Sequence, residues 1–367
     1  MKWGLFLLIL LFPVCALAAP KVQEVKTPRG ITAWLAEDES QPVVAIAFGW
    51  KNGFESDPEN RQGLGTLATD LLTDGAGEFS DNQFQEQIQE NALSLGFEAR
   101  RDALRGAMRS LKETLPQGVK MLRAAVNAPR FEKDAVERQK GKQLSSLKFN
   151  LADPDWVLMR LTLREIFKGH PYGKRALGTP ESVGAITEGD LRNWQKNLAR
   201  GNLLAVAAGA ITPAELSTLL DQVFGDLPEK SLSPVVPEAG WKVGGKTFLL
   251  KIPGPQAQIF MAWPGLKRND ADWYAAEIMD YILGGGSFSS RLMKEIREKR
   301  GLTYGVNSGT SALEHGPLFT VEASFQGKNA AEVLRLINEE VARMVKDPVS
   351  AEELKAAKDY LIGSAPL

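Results

Sequence analysis

The chain repeats itself, and that repeat constrains its fold more tightly than any single motif. Segments separated by about 210–219 residues share one pattern. "VVAIAFGWKNGFESDPENRQGL", from Val43, and "AQIFMAWPGLKRNDADWYAAEI", from Ala257, each read as an apolar strand ending near a tryptophan (Trp50, Trp263), a polar turn and a helix. The helices run into Gly75-Ala76-Gly77 and Gly284-Gly285-Gly286. Further on, "APRFEKDAVERQKGKQL" parallels "DPVSAEELKAAKDYLIG": a proline, a cap, then an amphipathic helix. Within each half the order is strand, helix, strand, strand, helix, helix. That order predicts an α+β fold of two homologous domains, each with a mixed, mainly antiparallel sheet packed against helices.

Between the halves, Gly225 to Lys246 is rich in Pro, Gly and Ser and has no periodicity, the composition of a linker. The boundaries read from this are an N-terminal domain over 19–225, a linker over 226–246 and a C-terminal domain over 247–367. The repeat sets Leu367 against about Lys148, whereas the first half runs about 80 residues further. The second domain therefore reads as truncated.

Residues 1–18 read as a signal peptide. Lys2 is a short positive start, an apolar run too short to span a bilayer comfortably follows, and Ala16-Leu17-Ala18 is a small-x-small cleavage site. Cleavage there removes Cys15, the single cysteine, leaving neither a disulfide nor a thiol nucleophile. The expectation is an exported, periplasmic protein with no stable membrane anchor after cleavage. With Lys+Arg 44 against Asp+Glu 45, no basic surplus points to a nucleic-acid partner.

Candidate chemistry is sparse. There are two histidines, His170 and His315, in loops of different halves, and neither has a helical Glu or His partner at i+4. A catalytic zinc site ordinarily draws on more than that, so both read as structural. No G-x-S-x-G elbow is present, and no G-K-[ST] follows Gly284-Gly285-Gly286. Asp74 and Glu78 read as solvated surface. The stretch "RQGLGTLATDLLTDGAGEFS", from Arg61, predicts an amphipathic helix without a cap. Leu64, Leu67, Leu71 and Leu72 form its apolar face, Thr66, Thr69 and Asp70 its polar face, and Gly75 its stop.

"GGGSFSSRLMKEIREKRGLTYGVNSG", from Gly284, predicts a helix capped by Ser289, with Leu292, Met293 and Ile296 buried and Gly301 ending it. A strand follows with Leu302, Tyr304 and Val306 on one face. Arg297 and Tyr304 stand where two donors could converge on one carbonyl oxygen. The alternative is that Arg297 pairs with Glu295 or Glu298 on the surface while Tyr304 packs in the core.

With these motifs in view, the sequence resembles the insulinase-like (pitrilysin) zinc peptidases, in the branch containing mitochondrial processing peptidase and bacterial two-subunit enzymes. "FESDPENRQGLGTLATDLLTDG", "HPYGKRALGTPESVGAITEGDLRNW" and "LGGGSFSSRLMKEIREKRGLTYGVNS" carry the resemblance over essentially the whole mature chain. It implies the insulinase-like, LuxS-type metallohydrolase fold. Catalytic members carry H-x-x-E-H where this chain has Thr66, Thr69 and Asp70, and a third ligand, a Glu, at about Ser146 or Leu147. All four groups are missing, so the resemblance implies no catalytic residue and no metal site here. Residues matching Arg297 and Tyr304 contact the substrate backbone in the family, and a glycine-rich loop like Gly284, Gly285 and Gly286 is associated with substrate handling in its non-catalytic subunit. The implied role is a non-catalytic, substrate-binding subunit that binds peptide while a partner with an intact H-x-x-E-H supplies zinc and water. A structural scaffold and a stand-alone peptide-binding homodimer are the alternatives.

Overall fold

A computed structural model describes residues 21–252 and 254–365. The expected signal peptide lies outside the described residues. The first half contains β1 (Val22–Lys26), β2 (Thr32–Glu37), β3 (Val43–Lys51), α1 (Leu64–Leu71), α2 (Asp81–Glu90), β4 (Ser94–Ala99) and β5 (Ala103–Leu111). Then come α3 (Leu115–Asn127), α4 (Lys133–Asn150), α5 (Pro154–Ile166), α6 (Pro180–Gly184), α7 (Glu188–Gln195), β6 (Leu203–Gly209) and α8 (Pro213–Phe224). Its six strands lie in the order β1-β2-β6-β3-β5-β4. Every pairing is antiparallel except β2 with β6.

Burial along β3 alternates as the period of a strand requires: Val44, Ile46, Phe48 and Trp50 face inward. The helices cover that face. Phe48 and Trp50 meet Phe224 of α8 at ring-centroid distances of 5.2 and 5.9 Å. Leu64, Leu67, Leu71 and Leu72 are all buried in the same core, each contributing roughly 1.5–3 kcal/mol of hydrophobic stabilisation.

The second half contains β7 (Gln256–Pro264), α9 (Trp273–Asp280), β8 (Thr303–Ser311), β9 (Leu318–Gln326), α10 (Ala330–Lys346) and α11 (Ala351–Ser364). Its sheet is antiparallel in the order β7-β9-β8, which repeats β3-β5-β4 of the first half. A separate core forms under it around Leu283, Ile296, Val321, Phe325 and Val333. The expected α+β architecture of two like domains is thus the observed one. Between α8 and β7 the described residues form no helix or strand. Val236 of this stretch is nevertheless buried with Ile166, Phe167, Tyr172 and Leu318, tying the two halves together.

The same junction carries polar contacts. The Tyr172 hydroxyl donates to Asp102 and accepts from the His315 N–H at 2.8 Å. The Glu314 N–H donates to Asp102 at 3.0 Å. His170 stands edge-on to the Tyr172 ring at 4.9 Å, and its Nε2 lies 2.8 Å from the Pro237 carbonyl. The two histidines, far apart in sequence, flank one tyrosine.

Candidate functional site

The two threonines of the polar positions on α1 are paired with backbone. Thr66 Oγ1 donates to the Ala176 carbonyl at 2.7 Å. Thr69 is buried, not on a polar face, and its hydroxyl serves the helix's own carbonyls of Gly65 and Thr66. Asp70 is exposed, yet it stands near Asp74 and Lys142. Partial desolvation there, together with the charge of Asp74, pushes its carboxyl up to about 6 against the pull of Lys142.

The helix is also not capless. Asp57 accepts from the N–H groups of Gly63 and Gly65 at 3.0 and 2.9 Å, so the cap comes from a loop upstream rather than from an adjacent side chain. Burial pushes Asp57 up to about 7 despite these two bonds and Lys174, and it pushes the neighbouring Glu55 to about 7 as well. Asp74 is no surface residue: it is buried, and accepts from Gln139 at 2.6 Å and Arg138 at 2.9 Å. Glu78 does lie on the surface, paired with Lys120.

From α4, Arg138 and Gln139 reach Asp74 just beyond α1, and Gln143 reaches the residue before it. Gln143 donates to the Gly63 carbonyl at 3.1 Å. This contact lies about one turn before Ser146 and Leu147, where the family resemblance puts the third-ligand position. The donor set does not fit zinc: one carboxylate, two hydroxyls committed to carbonyls and two amides offer none of the imidazoles that such a centre uses. No step through a metal is derived for this chain.

The segment after Gly284 behaves in the opposite way. Its glycines are set by packing. A Cβ on Gly284 would stand 2.5 Å from the Ser308 nitrogen, one on Gly285 2.8 Å from an Asp280 carboxylate oxygen, and one on Gly286 2.5 Å from the Tyr281 carbonyl. Two turns, Tyr281–Gly285 and Met293–Glu298, are π-helical rather than α-helical; such turns recur at functional sites. The helix begins one residue later than the sequence placed it. Ser290 is the extended residue before it, and its hydroxyl donates to the Ser287 carbonyl instead of accepting from the helix. Leu292, Met293 and Ile296 are buried as expected.

Tyr304 is not on the face of Val306. A β-bulge between Thr303 and Gly305 leaves Tyr304 without a partner on β9 and turns it outward, 71% exposed. The Thr303 hydroxyl pins the bulge. It donates toward the Gly305 and Ser324 carbonyls, at 2.7 and 2.6 Å, and accepts from the Gly305 N–H at 3.1 Å. The core position considered for Tyr304 is therefore excluded. Arg297 forms no ion pair among the described residues either: Glu295 is taken by Lys299 and Arg300. The Arg297 guanidinium lies 4.8 Å over the ring of Phe288, which is itself exposed. No hydrogen bond joins Arg297 to Tyr304, or either of them to α1, among the described residues. The sequence held one signal for the bulge, a Thr-x-Gly at the strand start, and none for the remote cap Asp57.

Residues 32–180 match the family model for insulinase peptidases (peptidase family M16), and residues 185–361 match that for the peptidase M16 inactive domain. The chain belongs to the insulinase (M16) family. The join between the two models falls before β6, which is hydrogen-bonded into the first sheet. A Helicobacter pylori protein named as the non-peptidase homolog YmxG is 29% identical over 361 residues, covering 96% of this chain and 81% of that one. An uncharacterized zinc protease of Streptomyces coelicolor is 28% identical over 71% of this chain, which spans 58% of its length. Among solved structures, a peptidase M16 inactive domain from Pseudomonas fluorescens superposes with a TM-score of 0.88 at 25% identity, covering 94% of this chain and 84% of that one. The periplasmic protease PqqL of Escherichia coli shares the fold, with a TM-score of 0.80 at 16% identity over 94% of this chain and 39% of its own. This M16 chain is thus an inactive-type member. Among the described residues no helix is long and apolar enough to cross a membrane.

Proposed function

We propose that this chain is the non-catalytic, substrate-binding subunit of an exported, periplasmic M16 peptidase pair, whose partner carries H-x-x-E-H and supplies zinc and the attacking water. The observation that carries the reading is the pinned bulge at Tyr304. It holds a phenol in solvent a few residues from a guanidinium that has no acidic partner among the described residues, while two of the three zinc-helix positions, Thr66 and Thr69, carry internally satisfied hydroxyls. Both donors are free for a peptide carbonyl. A donor of this kind is worth on the order of 10²–10³ in rate when it meets the developing oxyanion.

A pure scaffold would have no use for an exposed phenol on a bulge pinned by the Thr303 hydroxyl. The test is to purify the chain alone and with a candidate H-x-x-E-H chain of the same family. Alone it binds no stoichiometric zinc and cleaves no peptide. In the pair, Tyr304→Phe and Arg297→Ala lower turnover on the order of 10²-fold while gel filtration shows the complex intact. Chelator-sensitive cleavage by the chain alone overturns the reading, as does unchanged turnover in both variants. Elution of the isolated chain as a peptide-binding dimer that ignores the H-x-x-E-H chain favours the homodimer instead.

A further inference from the structure

The glycine-rich turn is held by more bonds than a mere connection needs. The Gly286 N–H donates to the Tyr281 carbonyl at 2.8 Å, and the N–H groups of Ser289 and Ser290 donate to the carbonyls of Gly286 and Ser287, both at 3.1 Å. Two hydroxyls repeat the pattern. Ser289 donates to the Gly286 carbonyl and Ser290 to the Ser287 carbonyl, each at 2.7 Å. The Tyr281 ring stacks on Tyr360 of α11 at 4.9 Å, and its hydroxyl lies 3.4 Å from Ser289 Oγ. Within this frame Ser287 stands at φ 51°, in the left-handed region that a side chain ordinarily avoids.

The residue that the braced turn presents is Phe288. Its ring is 58% exposed and belongs to none of the buried clusters among the described residues. A fold gains stability by burying a phenylalanine and loses some by holding a serine at positive φ. This turn forgoes the gain and bears the loss. Strain of that kind collects where a side chain has to be displayed. The ring is not displayed alone, because the Arg297 guanidinium lies over it, 4.8 Å from its centroid.

A stacked guanidinium uses its face and keeps its N–H edge free. Arg297 can therefore give that edge to a peptide carbonyl while Phe288 meets the side chain beside the carbonyl. The pair discriminates among side chains. A lysine or arginine is repelled by the fixed cation. A carboxylate competes for the edge that the carbonyl needs. An aliphatic chain gains contact area alone. An aromatic ring gains area and, in addition, the offset or edge-to-face fit that one ring offers another and the attraction of its face for the guanidinium.

We propose that Phe288 sets specificity: with Arg297 it receives an aromatic side chain of the bound peptide, so that the chain prefers peptides with an aromatic residue beside the carbonyl that Arg297 and Tyr304 hold. This rests on the peptide-binding reading above. The probes are fluorescein-labelled peptides of one sequence whose central residue is phenylalanine, leucine, glycine, glutamate or lysine. Binding to the complete chain is followed by anisotropy.

The phenylalanine peptide binds about three- to tenfold more tightly than the leucine peptide, and the lysine peptide binds most weakly. Phe288→Ala removes the gap between phenylalanine and leucine. Phe288→Leu, which keeps an apolar side chain and loses the ring, removes it too, whereas Phe288→Tyr retains it. The Phe288→Ala protein melts where the wild type does, since the ring supports no core; a clear drop makes the ring structural and overturns the proposal. Equal affinities for the phenylalanine and leucine peptides overturn it, as does a gap that survives in Phe288→Ala. Tightest binding of the glutamate peptide assigns Arg297 to a carboxylate and overturns it as well. In each of these cases, weaker binding by Tyr304→Phe leaves the peptide-binding reading intact. Failure of every peptide to bind removes both.

Discussion

The helix that aligns with the family's zinc motif and the strand proposed above to contact substrate have gone opposite ways in this chain. Around α1 most polar groups have found an internal partner: Thr66 a carbonyl on a neighbouring loop, Thr69 its own helix, Asp74 an amide and a guanidinium, while Asp70 stays exposed. Around the start of β8 two donors are held outward, Tyr304 on a bulge and Arg297 over an exposed ring. When a helix has no metal to hold, its polar atoms must be satisfied by the protein, since an unpaired buried group costs about 1–3 kcal/mol. Exposed donors carry no such penalty and persist where something else uses them. The difference teaches that one face has become structural while the other is kept available.

That contrast can be broken by substitution. The largest effect is expected at the loop supporting the open face. Gly284→Ala drives a methyl into the β8 backbone and costs about 2–4 kcal/mol in chemical denaturation. Gly141→Ala, in helix α4 with no atom within 4 Å of the new methyl, gains up to about 1 kcal/mol. Equal effects at the two positions would mean that the glycine-rich turn is not packed as described.

Next comes pH. Asp57 and Glu55 sit near 7 in the folded chain, against 3.8 and 4.5 for the free groups. Between those values the native state holds protons that the unfolded chain has released. Stability therefore falls as pH rises from about 4 toward 7 and levels off beyond. Asp57→Asn together with Glu55→Gln flattens the melting-temperature profile across that range. A slope unchanged in the double variant would show that other groups set it.

Smaller effects separate the two faces directly. Thr66→Val loses the bond to Ala176 and about 1 kcal/mol, with peptide binding unaltered. Thr303→Val costs about the same but also releases the bulge, so partner-dependent turnover falls as it does in Tyr304→Phe. The smallest change is in the stability of Tyr304→Phe itself, within roughly 0.5 kcal/mol of wild type, because the hydroxyl of an exposed side chain supports nothing in the fold. A large loss of stability there would place the phenol in the structural class with Thr66.

What was legible in the sequence was what repeats or alternates locally. The duplication gave two sheets of matching strand order, and the leucines of α1 and the Leu292, Met293 and Ile296 face landed in their cores. What was not legible depends on residues far apart in the chain. Asp57 caps α1 across a turn, and Asp74 is buried because α4 brings Gln139 and Arg138 to it. His170 and His315 meet only because Tyr172 lies between them. The Tyr304 bulge reverses a side chain by inserting one residue, a change that strict alternation cannot foresee.

One consequence of the unequal sheets concerns handling in solution. In the first half β3 is flanked on both sides, by β5 and β6, whereas β7 pairs only with β9 among the described residues. A long strand with one bare side is a template for any other extended chain. The segment leading into it exposes Phe248, Leu249, Leu250 and Ile252, with Leu249 at 96%. This margin predicts that light scattering by the chain rises with concentration even in buffers that keep the fold fully intact.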